Sequence, residues 1–164
     1  MRENFNGGYF DGEVSENGDF VGKIVYDNRD VYTGKVVGGV FSGEVIRHYD
    51  YGVYRGEWRD GDKNGKGEFS WFDGDRYDGE WRNGVMHGKG TFKWKSGDVY
   101  TGEWKHGVAD GKGKITWKSG EWYDGEWRDG MRHGKGVYRN PNANLFNEVW
   151  ENDERLSYER INKN

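Results

Sequence analysis

Tyr77-Asp78-Gly79-Glu80-Trp81-Arg82-Asn83-Gly84-Val85-Met86-His87-Gly88-Lys89-Gly90 is the stretch that decides the fold. Its opening five residues recur as Tyr-x-Gly-Glu-Trp at Tyr54 to Trp58, Tyr100 to Trp104 and Tyr123 to Trp127, in steps of 23 residues. Its closing three recur as Gly65-Lys66-Gly67, Gly111-Lys112-Gly113 and Gly134-Lys135-Gly136. A fixed period of this length marks a repeat architecture in which each unit is one supersecondary element.

Alternation within the unit predicts two strands, because successive side chains of a strand point to opposite faces. Tyr54, Gly56 and Trp58 share one face with Gly65, Gly67, Phe69 and Trp71, and the charged residues take the other. Asp60-Gly61 reads as the hairpin turn; Asp73-Gly74-Asp75, Ser96-Gly97-Asp98 and Ser119-Gly120-Glu121 read as turns between units. The pairing expected within a hairpin sets Trp58 against Gly65, Gly56 against Gly67 and Tyr54 against Phe69. It also sets Glu57, Glu80, Glu103 and Glu126 against Lys66, Lys89, Lys112 and Lys135. Glycines beside rings leave room for those rings over the backbone.

Outside the regular copies, Phe10-Asp11-Gly12-Glu13-Val14 and Tyr32-Thr33-Gly34-Lys35-Val36 stand 22 residues before their successors. Val14 and Val36 replace the Trp there, and Ile24 and Val45 are expected in the place of the second Gly, a volume exchange that suits a packed inner face. Phe146 to Trp150 begins a terminating unit, after an interruption at Pro141-Asn142-Ala143-Asn144. One repeat domain over 1–164 follows, with regular units near 54–76, 77–99, 100–122 and 123–145 and degenerate units near 10–31 and 32–53. A cap covers 146–164, for which a hairpin and a short helix are both open. The fold class is all-β: an elongated single-layer antiparallel ribbon of tandem β-hairpins, about seven units and on the order of 65 Å long at ~4.8 Å per strand.

Composition agrees. The 29 glycines among 164 residues oppose helices, while nine Trp, eleven Tyr and eight Phe supply enough apolar area to fold a chain that is 33% charged. Net charge is −4 with acids and bases interspersed, which excludes the basic stripe of a nucleic-acid binder. With no Cys and no apolar leader or span, a cytoplasmic place is expected, free or peripheral to membrane or cytoskeleton.

The consensus Tyr-x-Gly-Glu-Trp-x-x-Gly-x-x-His-Gly-x-Gly, fullest at Tyr77 to Gly90 and Tyr123 to Gly136, resembles the MORN (membrane occupation and recognition nexus) repeat. The resemblance covers roughly residues 9–161. It implies a curled antiparallel ribbon whose aromatic groove takes a peptide or helix. It also implies scaffold, tether or accessory roles, end-to-end self-association, and phospholipid binding in several members.

The candidate partner-binding residues are the rungs Tyr54, Trp58, Tyr77, Trp81, Tyr100, Trp104, Tyr123 and Trp127, with Trp71, Trp94 and Trp117 along the rim. An uncovered row of such rings favours a protein-interaction scaffold. The alternatives are a peripheral module for anionic lipid or phosphoinositide, resting on Arg59, Arg82, Lys105 and Arg128, and a carbohydrate reader. A homodimer through the terminal strands is a further expectation. No catalytic set, metal site or cofactor is expected. His87 and His133 stand two units apart, His48 and His106 lack partners in register, and Asp60, Asp62, Asp73 and Asp75 read as turn residues. The glutamate row lies on the charged face with each member beside a Lys, which reads as pairing and not as a catalytic set, so the chain is expected to be a non-enzyme.

Overall fold

The computed structural model describes residues 2–162, and every regular element among them is a strand. The first strands are β1 (Arg2–Phe5), β2 (Gly8–Val14), β3 (Phe20–Tyr26), β4 (Val31–Val37) and β5 (Val40–Tyr49). They are followed by β6 (Gly52–Arg59), β7 (Asp62–Trp71), β8 (Arg76–Arg82), β9 (Val85–Lys93) and β10 (Val99–Lys105). The last are β11 (Val108–Thr116), β12 (Trp122–Arg128), β13 (Met131–Arg139), β14 (Leu145–Glu151) and β15 (Glu154–Arg160). The antiparallel strands follow one another in sheet order from β1 to β15 as one open sheet. The expected hairpins are present, and β1, which pairs with β2, adds a strand where the repeat pattern had none. Contacts divide the chain into two compact units, Met1–Asp73 with Glu80–Val85, and Gly74–Gly79 with Met86–Asn164.

From the β4–β5 hairpin onward the tips have two consecutive residues at positive φ, the geometry that joins twisted strands without splaying them. Asp60-Gly61 (54° and 81°) and His106-Gly107 (51° and 87°) both adopt it. The terminating hairpin does so at Asn152-Asp153 without any glycine. The 146–164 stretch is therefore a hairpin as far as it is described, ending in β15.

The expected register holds in its outer half and fails near the turn. Tyr54 pairs with Phe69 and Gly56 with Gly67, but Trp58 then faces Lys63 across a bulge. The same slip sets Trp104 against Ala109 and Trp127 against Arg132. Its cause is the first glycine of Gly-Lys-Gly: Gly65 takes φ 91° and Gly111 φ 110°, and a Cβ at either would strike the carboxylate of Glu57 or Glu103. That carboxylate folds over the bulge and accepts the backbone N–H of the following lysine, Glu57 from Lys66 and Glu103 from Lys112 at 2.9 Å, and Glu126 from Lys135 at 3.2 Å. The predicted partners meet across unit boundaries instead. Trp104 faces Gly88 and Trp127 faces Gly111, while Glu103 opposes Lys89 and Glu126 opposes Lys112.

The degenerate hairpins also differ from expectation. They keep the glycine pair, Gly12 with Gly22 and Gly34 with Gly43, and run without a bulge. Lacking the bulge residues, they reach the paired glycine sooner after the turn, Gly22 from Gly18 and Gly43 from Gly39, against Gly67 from Gly61. Counting back a fixed offset therefore misplaces Ile24 and Val45, which stand opposite Phe10 and Tyr32 and not in a glycine position.

The core is one face of the sheet. Tyr54, Tyr77 and Tyr123 have no exposed surface and Tyr100 retains 1%. Each ring lies along its own strand over the paired glycines: a Cβ on Gly67 would come within 2.6 Å of the Tyr54 ring, and Gly90, Gly113 and Gly136 are closed the same way by Tyr77, Tyr100 and Tyr123. The glycine pairs are thus sites of close ring approach, which outweighs the entropic cost of glycine in strands.

Candidate partner-binding face

Each tryptophan serves the unit before its own. In the first compact unit, Trp81 stands edge-on to Tyr54 at 5.5 Å between centroids and donates its indole N–H to the Gly67 carbonyl at 2.9 Å. In the second, Trp104 meets Tyr77 at 5.3 Å and bonds Gly90 at 3.1 Å; Trp127 meets Tyr100 at 5.2 Å and bonds Gly113 at 2.9 Å. The tyrosine hydroxyls turn inward, Tyr54 donating to the Glu57 carbonyl at 2.8 Å and Tyr100 to that of Glu103 at 3.1 Å. Burial accordingly raises the phenol pKa of Tyr54 and Tyr100, and pushes that of Tyr123 up to about 12.

This arrangement sorts the candidate residues. Tyr54, Tyr77, Tyr100 and Tyr123 form a floor without surface, and Trp58, Trp81 and Trp104 are nearly covered. Trp127, Trp71, Trp94 and Trp117 are part-exposed. Trp71 and Trp94 lean on their strand neighbours Phe69 and Phe92 at 4.5 and 4.7 Å, and Trp117 approaches Tyr138 at 6.4 Å. In the first unit an exposed aromatic margin continues through Tyr51, stacked at 5.7 Å on Phe69.

Cations lie on several rings. The Lys63 ammonium sits 4.5 Å from the centre of Trp81 and 5.3 Å from that of Phe69, and desolvation there lowers its pKa. Arg47 lies over Trp58 at 5.4 Å, and Arg132 over Trp150 at 3.6 Å.

A cleft of about 400 Å³ opens on the second unit, lined by Trp117, Ser119, Glu121, Arg132, Tyr138, Glu148, Trp150 and Arg155. Glu148, 3% exposed, accepts from the Trp150 indole and from Arg155, both at 3.0 Å. Arg132 Nε reaches Asp153 at 2.9 Å while its guanidinium stacks on Trp150. Glu121 accepts hydrogen bonds from Tyr138 and Ser119, which hold its carboxyl below the usual range; burial and that same bond push Tyr138 up to about 12. Of this set sequence reasoning named Trp117 as a binding residue. The signal for the rest was Glu148 in the place of Gly125, a carboxylate where every regular unit has hydrogen.

The turn aspartates act as rungs between successive turns, Asp75 accepting from Lys95 N–H and Asp98 from Lys118 N–H at 2.8 Å. Two histidines gain partners that the repeat register had not supplied: His48 bonds Asp30 at 3.1 Å, and the ring of His106 lies 6.1 Å from that of His87. Among the described residues no group of three His, Cys, Asp or Glu is placed to hold a metal ion.

Residues 54–76, 77–99, 100–122 and 123–144 each match the model of the MORN repeat. Among curated proteins none matches the chain. A solved structure of the TCP domain of SAS-4 (dCPAP) of Drosophila melanogaster, in complex with a proline-rich motif of Ana2 (dSTIL), is similar at 11% identity and a TM-score of 0.41, with 94% of this chain and 90% of that chain covered. MORN repeats are generally repeats of protein and membrane interaction, and the family is a non-enzymatic one. No helix among the described residues is long and apolar enough to cross a membrane. The four repeat matches take in more than half of the sequence, and the chain belongs to the MORN repeat family.

Proposed function

We propose that the protein is a non-catalytic scaffold that captures a peptide or helix of a partner protein on its aromatic face. The observation that carries this reading is the cleft of the second unit, where Trp117, Tyr138 and Trp150 form ring walls around ordered guanidinium and carboxylate groups. Rings presenting one apolar side, with polar groups fixed by internal hydrogen bonds, are the composition of interface anchors. Trp117, Trp94 and Trp127 are the contact residues. Tyr100 and Tyr123 stand edge-on to Trp127, Phe92 lies against Trp94, and Tyr138 approaches Trp117. Anionic lipid fits the cleft less well, because Glu121, Glu148 and Asp153 stand beside its two arginines.

The test is affinity capture by the full chain and by a Trp94→Ala/Trp117→Ala variant, chosen because neither ring is part of the buried floor. Loss of a captured protein with β circular dichroism unchanged is the expected result. Equal capture by both chains would sink the reading.

A further inference from the structure

The tryptophan ladder has one open rung. Gly88 faces Trp104, Gly111 faces Trp127 and Gly134 faces Trp150, so the residue two positions before each glycine lies diagonal to that tryptophan on the same face. In the four regular units this position holds Lys63, Met86, Ala109 and Arg132. Lys63 places its cation over Trp81, and Arg132 over Trp150. Ala109 ends at Cβ, and no described Lys or Arg lies over Trp127. The consequence is visible in exposure: Trp81, Trp104 and Trp150 retain 6%, 7% and 8% of their surface, whereas Trp127 is part-exposed.

We propose that Trp127 is a docking point for an arginine or lysine side chain of the partner, which occupies the place that Lys63 and Arg132 fill in their own units. The proposal rests on the scaffold reading and names the chemistry of its partner. Trp127 has committed its indole N–H to Gly113 and stands edge-on to Tyr100, so what it can offer is a ring face, the surface that attracts cations. Cations on adjacent rungs are compatible, since Arg47 on Trp58 is followed by Lys63 on Trp81. Asp110, next to Ala109, accepts the N–H of Asp129, so two carboxylates stand at this hairpin edge of a chain with net charge −4.

The experiment titrates the full ¹⁵N-labelled chain with acetyl-Gly-Arg-Gly-amide and with its citrulline and norleucine counterparts. It follows the Trp127 indole N–H, assigned with Trp127→Phe. The expected result is a shift at Trp127 several-fold larger with arginine than with either neutral side chain. Ala109→Lys should abolish it, and so should Ala109→Met, which copies Met86 and guards against misfolding of the lysine variant. No shift at Trp127, equal shifts with all three peptides, or an arginine shift undiminished in both variants that fold would overturn the proposal. The probe needs no native partner, so this result and the capture experiment can fail independently.

Discussion

Tyr100 and Trp127 belong to successive repeats, yet their rings meet edge to face at 5.2 Å while Trp127 bonds the carbonyl of Gly113, the glycine that Tyr100 covers. Each repeat therefore completes its inner face with the tryptophan of the next. Stability in such a chain is a sum of unit and neighbour contributions, and it is the neighbour contribution that this pair carries.

A double-mutant cycle with Tyr100→Leu and Trp127→Leu, each of which removes one ring of the pair, isolates it, with Tyr100→Phe as the control that keeps the ring. Tyr100→Phe removes the hydroxyl that satisfies the Glu103 carbonyl and should cost about 1 kcal/mol. Urea denaturation should show coupling of roughly 0.5–1.5 kcal/mol between the two positions, as edge-to-face pairs give. Additive losses would mean that the units are energetically independent.

Gly113→Ala and Gly120→Ala separate two uses of glycine. At Gly113 a Cβ would come within 2.7 Å of Tyr100 Cε2, a ring that has no exposed side to move into. At Gly120 the added carbon meets nothing, and only the φ of 89° opposes it. Thermal melts should show a loss of about 2–3 kcal/mol for Gly113→Ala, in the range of overpacked cores, and about 1 kcal/mol for Gly120→Ala.

The period of 23 and the turn dipeptides made the strands, tips and aromatic face legible in the sequence, because each depends on local pattern. The bulge was not legible. Nothing in Gly111-Lys112-Gly113 says that its first glycine takes φ 110° to admit the Glu103 carboxylate, and without that residue the partners of Trp104 and Glu103 come out one unit wrong. The candidate site was half legible for a related reason. Aromatic type identifies the face, but whether a ring is floor or surface depends on neighbours 23 residues away, so Tyr100 and Trp117 look alike in sequence and differ in burial. The arginines of the cleft were hidden because they sit outside the repeat consensus.

Alkali should unfold the protein. A buried phenol whose folded pKa lies above its unfolded value near 10 stays neutral in the native state while the unfolded chain loses its proton. Its stabilisation is complete below pH 10 and is lost as pH rises toward the folded value, about 12 for Tyr123. Each such tyrosine contributes a slope of up to about 1.4 kcal/mol per pH unit. Urea midpoints should fall between pH 9.5 and about 11.5, and less steeply in Tyr100→Phe. A midpoint flat across that window would show the phenols to be accessible.

Glu148 tests how the stack is ended. It occupies the place of a glycine, and its buried carboxylate is held by the Trp150 indole and by Arg155, which comes from the exposed strand β15. Arg155→Ala removes the cation bonded to it and should cost about 2–4 kcal/mol, the lower part of that range because Arg155 is itself 44% exposed. Glu148→Gln in the same chain removes the stranded charge, and the double variant should recover part of the loss. Hydrogen exchange locates the effect. Amides of β14 and β15 should lose protection in Arg155→Ala ahead of those in β10 and β11, since each hairpin leans on its neighbours. Uniform loss along the chain, or no recovery in the double variant, would remove the ion pair from the account of how the repeats terminate.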